Sequence, residues 1–306
     1  MEGMKWFVLK TEILKQWRKE NMFEIKEIDN IKDLYLYHKQ IAAPYYFPVS
    51  YEEWEKSFFH DVDNQGKKLF AKLYMQGAYE DGVLIGFVQY GLSAFGFDEH
   101  GEISEDVSYQ IIRNLYYDRN HPDAGKALLE EAVHHFDSQE RIYAFFHYFG
   151  MSCYARHGKL FERYDYIKDL LEKQGFVIEH ENVYYSMDEI SCNEKEIEVK
   201  WSEPTLGSTR CAEFLLNHEW IGECEVHFIS AERIAYLRWI YIDEKKQNQK
   251  LGSRSMKALL YDISNAGYKK LDTDTAMTNE IAQHYYEKNG FKREGVTRSF
   301  FKETTN

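Results

Sequence analysis

Paired cysteines, long apolar runs and the common phosphate-loop and hydrolase motifs are all missing from this sequence. Cys153, Cys192, Cys211 and Cys224 stand alone, with no C-x-x-C pair and no paired histidine spacing. That argues against a disulfide framework or a zinc site and fits reduced thiols in a cytoplasmic protein. No metal is expected. The first twenty residues carry Trp6, Leu9, Ile13 and Trp17 at helical spacing among Lys, Arg and Glu. They contain no uninterrupted apolar core and no small-residue cleavage site, so neither a signal peptide nor a membrane span is expected. The segment "AGKA" at Ala124–Ala127 lacks the earlier Gly and the Ser/Thr of a phosphate-binding P-loop, and no G-x-S-x-G occurs. His134 and His135 are adjacent on a helix and cannot share a metal from one face.

What is present is globular composition: 306 residues, 44% hydrophobic and 29% charged, enough for one large domain or two ordinary ones. The net charge of -13 would repel a nucleic-acid backbone and favours a cationic partner.

From Met22 the pattern reads strand "MFEIKEI", helices "NIKDLYLYHKQI" and "SYEEWEKSFFH", then strands "KKLFAKLYM", "GVLIGFVQYGLSAF" and one around "YQIIRNLYY". Helix "AGKALLEEAVHHF", strand "RIYAFFHYF", a helix ending at Gln174 and strand "FVIEHENVYYSM" follow. After the polar stretch Asp188–Glu196 the order restarts in shortened form. It runs "RCAEFLLN", "ECEVHFI", "AYLRWIYI", helix "LGSRSMKALLYDISNAG", strand "KKLDTDTA", helix "EIAQHYYEKNG" and strands to the end. This is an α+β order with a partial internal repeat. The expected division is an N-terminal helical extension over 1–21, a first unit over 22–190 and a shortened second unit over 191–306. The second unit has no clear helix before "AYLRWIYI", where the first has two.

The segments "IDEKKQNQKLGSRSMKALL" and "NEIAQHYYEKNGF" resemble the GNAT superfamily of acyl-CoA-dependent N-acyltransferases. The family loop reads roughly V-x-P-x-x-R/Q-x-x-G-x-G/A. Here Ile242, Gln247 and Gly252 match, while Glu244 replaces Pro and Lys250 the first Gly. The resemblance is strongest from Arg233 to Phe291; over Met22 to Met187 it is one of element order. It implies two GNAT-like units, each a mixed twisted sheet flanked by helices, the first degenerate and the second holding acetyl-CoA.

Physics supports the loop assignment, since a polar loop opening a helix presents unpaired N–H groups and the positive end of a helix dipole to a pyrophosphate. The resemblance places the cofactor on Gln247, Asn248, Gln249, Lys250, Leu251, Gly252 and Ser253, with Lys245 and Lys246 adding cations. It also places it on Ile240, Tyr241 and Ile242 of the preceding strand and on Asn279, which opens the last helix. Backbone N–H groups near Ile240 and Ile242 would polarise the thioester carbonyl. In the arrangement A-x-x-x-Y-x-x-x-G-F, matched by Ala282, Tyr286, Gly290 and Phe291, the resemblance makes Tyr286 the acid that protonates the departing CoA thiolate. Asp272 and Asp274 alternate on one strand and share a face, as do Glu223 and Glu225 on another; Asp274 is the candidate base for the acceptor amine.

The first unit's counterpart loop, "NHPDAG", argues against cofactor binding there, because Pro122 removes a backbone donor and Asp123 places a negative charge where phosphates would sit. Leu171 stands where the second unit has Tyr286. The expected activity is direct acetyl transfer to a primary amine on a small molecule or a protein, the acceptor being cationic, with no nucleic acid or membrane partner and a homodimer possible. The alternative is a non-catalytic, CoA-responsive binding or scaffold module.

Overall fold

The computed structural model describes residues 23–63, 65–137, 140–204 and 208–303. The N-terminal extension over 1–21 lies outside the described residues.

The first half runs β1 (Phe23–Glu27), α1 (Ile31–His38), α2 (Tyr51–Phe59), β2 (Phe70–Glu80), β3 (Val83–Ser93), the short β4 (Gly96–Phe97) and β5 (Ile103–Ser104), β6 (Gln110–Tyr117), α3 (Pro122–His134), β7 (Ile142–Ala144), β8 (Leu160–Phe161), α4 (Asp165–Lys173) and β9 (Val177–Asp188). The second runs β10 (Glu198–Trp201), β11 (Thr209–Leu216), β12 (Glu219–Ile229), β13 (Ile234–Ile242), α5 (Leu251–Asn265), β14 (Lys270–Ala276), α6 (Glu280–Lys288) and β15 (Lys292–Lys302).

Local chemistry explains the helices. Ser50 and Glu53 close a reciprocal capping box at the start of α2. Along α5, Met256, Leu259, Leu260 and Ile263 recur at helical spacing and are buried. Two expectations shift. The segment "RIYAFFHYF" leaves the sheet after Ala144, since Phe145 turns left-handed (φ 55°) and two short 3-10 turns follow. A short strand, β10, also precedes "RCAEFLLN" and gives the second unit a first strand of its own. It leads into β11 with no helix among the described residues between them.

All the main strands join one sheet in the order β1-β2-β3-β6-β7-β15-β9-β14-β13-β12-β11-β10, with β8 added against β15. The centre is an exchange. The last strand of the first half, β9, pairs with β14 of the second, and the last strand of the chain, β15, pairs with β7 of the first. The two then pair with each other, antiparallel. Burial follows the exchange: Phe300 of β15 lies in the first core with Trp54, Phe87 and Leu128, while Val183 and Tyr185 of β9 lie in the second with Phe214, Leu259 and Leu271. The division at 190/191 therefore separates the sequence but not the sheet.

Candidate active site

In each half two parallel strands run together and then part. The β13–β14 ladder spans Ile234–Leu237 against Lys270–Thr273 and stops there. A β-bulge opposite Glu225 and Val226 inserts Arg238 into β13, and such a bulge bends the strand and turns it from its neighbour. At the apex the Thr273 hydroxyl donates to the Leu237 carbonyl (2.9 Å). Beyond the apex the edge of β13 that faces β14 carries no ladder.

On one side of this fork lies a cleft of about 620 Å³. Ile240, Tyr241, Ile242, Gln247, Asn248, Lys250, Leu251, Gly252, Ser253 and Asn279 all line it, together with Ala282, Tyr285, Tyr286 and Lys288. Gln249 is the expected cofactor residue that does not; its Nε2 donates back to the Lys245 carbonyl (3.3 Å). Lys245 and Lys246 do not line the cleft either, and Lys246 is paired with Glu219 (2.8 Å). The cleft's cations are Lys250 and Lys288.

Lys250 sits at the N-cap of α5 with φ 62°, and Asn248 is left-handed too (φ 61°). A lysine therefore adopts the conformation for which the family loop carries glycine. Alternating left-handed residues turn successive N–H groups inward as an anion-binding nest, and α5 begins with no side-chain cap competing for them. The Tyr285 hydroxyl donates to the Gly252 carbonyl (2.9 Å), and its ring lies 3.2 Å from where a Cβ on Gly252 would be. Asn279 caps α6 by accepting from the Ala282 amide (3.0 Å). Tyr286 is buried, and that burial raises its phenol above the ordinary tyrosine pKa while the Thr273 hydroxyl pulls it back.

A second cleft, of about 330 Å³, meets Tyr236, Arg238, Asp274 and Ala276 at the same fork. Its remaining wall is His147, Ala155–Lys159, His180 and Asn182, all from the first half. Ala155–Lys159 come from the long connection between β7 and α4, where the second half has only residues 277–279 between β14 and α6. Asp274 is buried and accepts from Lys159 Nζ (2.8 Å), Asn182 Nδ2 (2.5 Å) and the Tyr236 hydroxyl. Burial alone would raise its pKa, but the Lys159 ammonium, His157 and Tyr236 outweigh that and hold it well below the usual carboxylate range. So engaged, Asp274 anchors Lys159 in the wall of the second cleft. Its neighbour Asp272, also buried, is pushed up to about 6 by burial against the counter-pull of Lys270.

Among the described residues one group has the makings of a metal site: ligand atoms of His147, Glu179 and His180 lie within 4.8 Å of one another. A bulge between Ser299 and Phe300 leaves Glu179 unmatched between Ile178 and His180, which lets two successive strand residues serve one side. The four cysteines are free. No helix among the described residues is long and apolar enough to cross a membrane.

Residues 169–291 match the model of the Acetyltransferase (GNAT) family. Among curated proteins none matches the sequence. Solved structures of similar fold include three that span most of this chain. The GCN5-related glucosamine N-acetyltransferase region of a fungal multi-domain GH3 β-N-acetylglucosaminidase is 12% identical with a TM-score of 0.60, and covers 91% of this chain but only 38% of that one. A GCN5-related N-acetyltransferase from Sphaerobacter thermophilus is 8% identical with a TM-score of 0.56, covering 94% and 97%. A tandem GNAT protein from the clavulanic acid biosynthesis pathway is 10% identical with a TM-score of 0.56, covering 93% and 99%. At such identities the likeness is one of fold, and it extends over both halves. Residues 169–291 thus form a domain that matches the GNAT family, within a two-unit fold shared with solved GNAT structures.

Proposed function

We propose that the second fork transfers acetyl from acetyl-CoA to a primary amine by direct attack. The observation that carries this reading is the opening of two clefts on one fork, with Tyr286 on the first and the wall lent by the other half on the second. When bound, acetyl-CoA supplies an acyl thioester open to attack by an amine. The amides that open α5, with Lys250 and Lys288, suit its pyrophosphate. The free edge of β13 offers backbone groups to its amide-bearing arm and, near Ile240 and Ile242, donors to the carbonyl that gains negative charge.

The new bond joins the amine nitrogen to the acyl carbon, and the carbon–sulfur bond breaks. Tyr286 gives its phenolic proton to the departing thiolate, whose basicity is comparable with that of a phenol. Water then reprotonates Tyr286. Asp274, the carboxylate on the second cleft, is already engaged by Lys159, so the proton lost from the amine passes to water.

Release of free thiol from acetyl-CoA across an amine library tests the reading. At least one amine should give turnover, and Tyr286→Phe should lower kcat by roughly 10- to 1000-fold with acetyl-CoA affinity little changed. Acetyl-CoA binding without thiol release from any amine would make the chain a binding module. Unchanged turnover in Tyr286→Phe, with chemistry rate-limiting, would remove Tyr286 from the mechanism.

A further inference from the structure

We infer that the second cleft takes an amine that also bears an anionic oxygen group, a carboxylate or a phosphate. This rests on the acyl-transfer reading and reverses the expectation of a cationic acceptor drawn from net charge.

Charge count comes first. Arg156, Lys159 and Arg238 line the cleft with a single carboxylate, Asp274, which Lys159 already neutralises at 2.8 Å. Arg238 is met from outside by Glu225 (3.2 Å). Arg156 is under-matched. The carboxylate nearest to it is Asp61, 3.8 Å from Nη1, and Asp61 is committed to the buried Arg113 at 2.7 Å. One buried carboxylate thus serves two guanidinium groups, which leaves a positive charge in the wall.

Hydrogen bonding points the same way. Of the nine side-chain atoms buried without a hydrogen-bond partner among the described residues, three, His147 Nδ1, Arg156 Nη1 and His157 Nε2, are on residues that line this cleft. A buried unsatisfied donor of this kind is costly and is met in functional sites that a ligand completes. Arg156 Nη1 can only donate, so what completes it is an acceptor, and a guanidinium is best completed by carboxylate or phosphate oxygens.

The wall is also held in place. Ala155 and Arg156 are consecutive left-handed residues (φ 55° and 58°), and the Arg156 carbonyl lies 2.3 Å from where a Cβ on Gly150 would be. Backbone strain in a closely packed loop is a mark of pre-organised sites. A divalent cation on His147, Glu179 and His180 is the rival occupant. The Lys159 ammonium lines the same cleft as His147 and His180, which favours an anion over a cation there.

The test pairs each acid-bearing amine with its counterpart lacking the acid group. The probes are the twenty standard amino acids, phosphoethanolamine and glucosamine 6-phosphate, each with the matching decarboxylated or dephosphorylated amine. Calorimetry in saturating CoA reads binding, and thiol release from acetyl-CoA reads turnover. At least one acid-bearing amine should bind roughly tenfold or more tightly than its counterpart, and Arg238→Gln and Arg156→Gln should each erase roughly tenfold of that preference. Arg238 is half-exposed, so Arg238→Gln keeps the test open if Arg156→Gln does not fold. Carboxylate-only or phosphate-only preference names the group. No preference in any pair, no binding of any probe, or preference untouched by Arg238→Gln in a folded protein overturns the inference. So does binding that requires zinc and is lost with EDTA. Preferential binding without thiol release leaves this inference standing and overturns the acyl-transfer reading instead; release from both members of each pair alike does the reverse.

Discussion

The two forks of the sheet share one plan and differ in what fills them. In the first, the β6–β7 ladder spans Gln110–Ile112 against Ile142–Ala144 and stops, and a bulge opposite Gln89 and Tyr90 inserts Arg113, as Arg238 is inserted in the second. Arg113 is wholly buried. It donates to the carbonyls of Phe149, Ser57, Phe58 and Gly150 and to Asp61. Arg238 instead lines an open cleft.

By the same alignment Ile242 corresponds to Tyr117, and Asp272, Thr273 and Asp274 to Tyr143, Ala144 and Phe145. Tyr117 lies over the first turn of α3, its ring 2.4 Å from where a Cβ on Gly125 would be. Tyr166 donates to the Tyr117 carbonyl (2.7 Å) and Tyr117 to the Tyr166 carbonyl (3.2 Å). The strand edge that stays free in the second fork is thus closed by a phenol in the first. Leu171, fully buried, completes that packing where the second half keeps Tyr286. The first fork thus carries rings, those of Tyr116, Tyr117, Tyr164 and Tyr166, around a smaller cleft of about 350 Å³, where the second opens about 620 Å³ beside the α5 loop and Tyr286.

The comparison breaks most completely if the halves are separable. Residues 191–306 expressed alone lack β9, which supplies Val183 and Tyr185 to the second core. They should be insoluble or inactive, and a soluble, active fragment would show that the exchange is dispensable. Next in size is stoichiometry. Calorimetry should give one acetyl-CoA per chain, and Gly252→Asp should weaken binding at least about 100-fold by setting bulk against Tyr285 and a negative charge beside the phosphates. Two equal sites per chain would reverse the reading of the first fork.

A smaller effect concerns Asp272, whose counterpart is Tyr143. Its folded-state pKa of about 6 lies above the unfolded value. Its contribution to stability is therefore full below about pH 4 and is lost as pH rises through about 6. Asp272→Asn should be more stable than the parent at pH 8 by about 1–3 kcal/mol, the gap closing toward pH 4 in denaturant titrations. A gap that widens as pH falls would contradict the sign. Smallest is Lys250→Gly, which relieves a left-handed side chain. It should gain up to about 1 kcal/mol of thermal stability while weakening acetyl-CoA binding a few-fold for want of the cation.

The first cleft of the second fork was legible in the sequence because its signals are local. A loop of fixed length, the helix it opens and a tyrosine one turn from a helix end lie within consecutive residues, so spacing alone carries them. The other cleft was not legible. Lys159 reaches Asp274 across more than a hundred residues, and nothing near either end announces the other. Arg113 and Arg238 looked like ordinary strand residues, since a bulge is a property of pairing with a neighbour. The division into two units followed from the repeat of elements, but a strand's own alternation does not name its partner, so the exchange of β9 and β15 left no trace.

That exchange sets the order in which the protein can be made. The strand that fills the gap between β7 and β9 is synthesised after every element of the first half, and Phe300, which it brings to the first core, emerges more than a hundred residues after β9. Until then the first half keeps an open sheet edge and an incomplete interior, the condition in which chains pair wrongly or aggregate. Folding of the first half therefore waits on synthesis of β15, and a chain cut short before that strand leaves both halves unfinished.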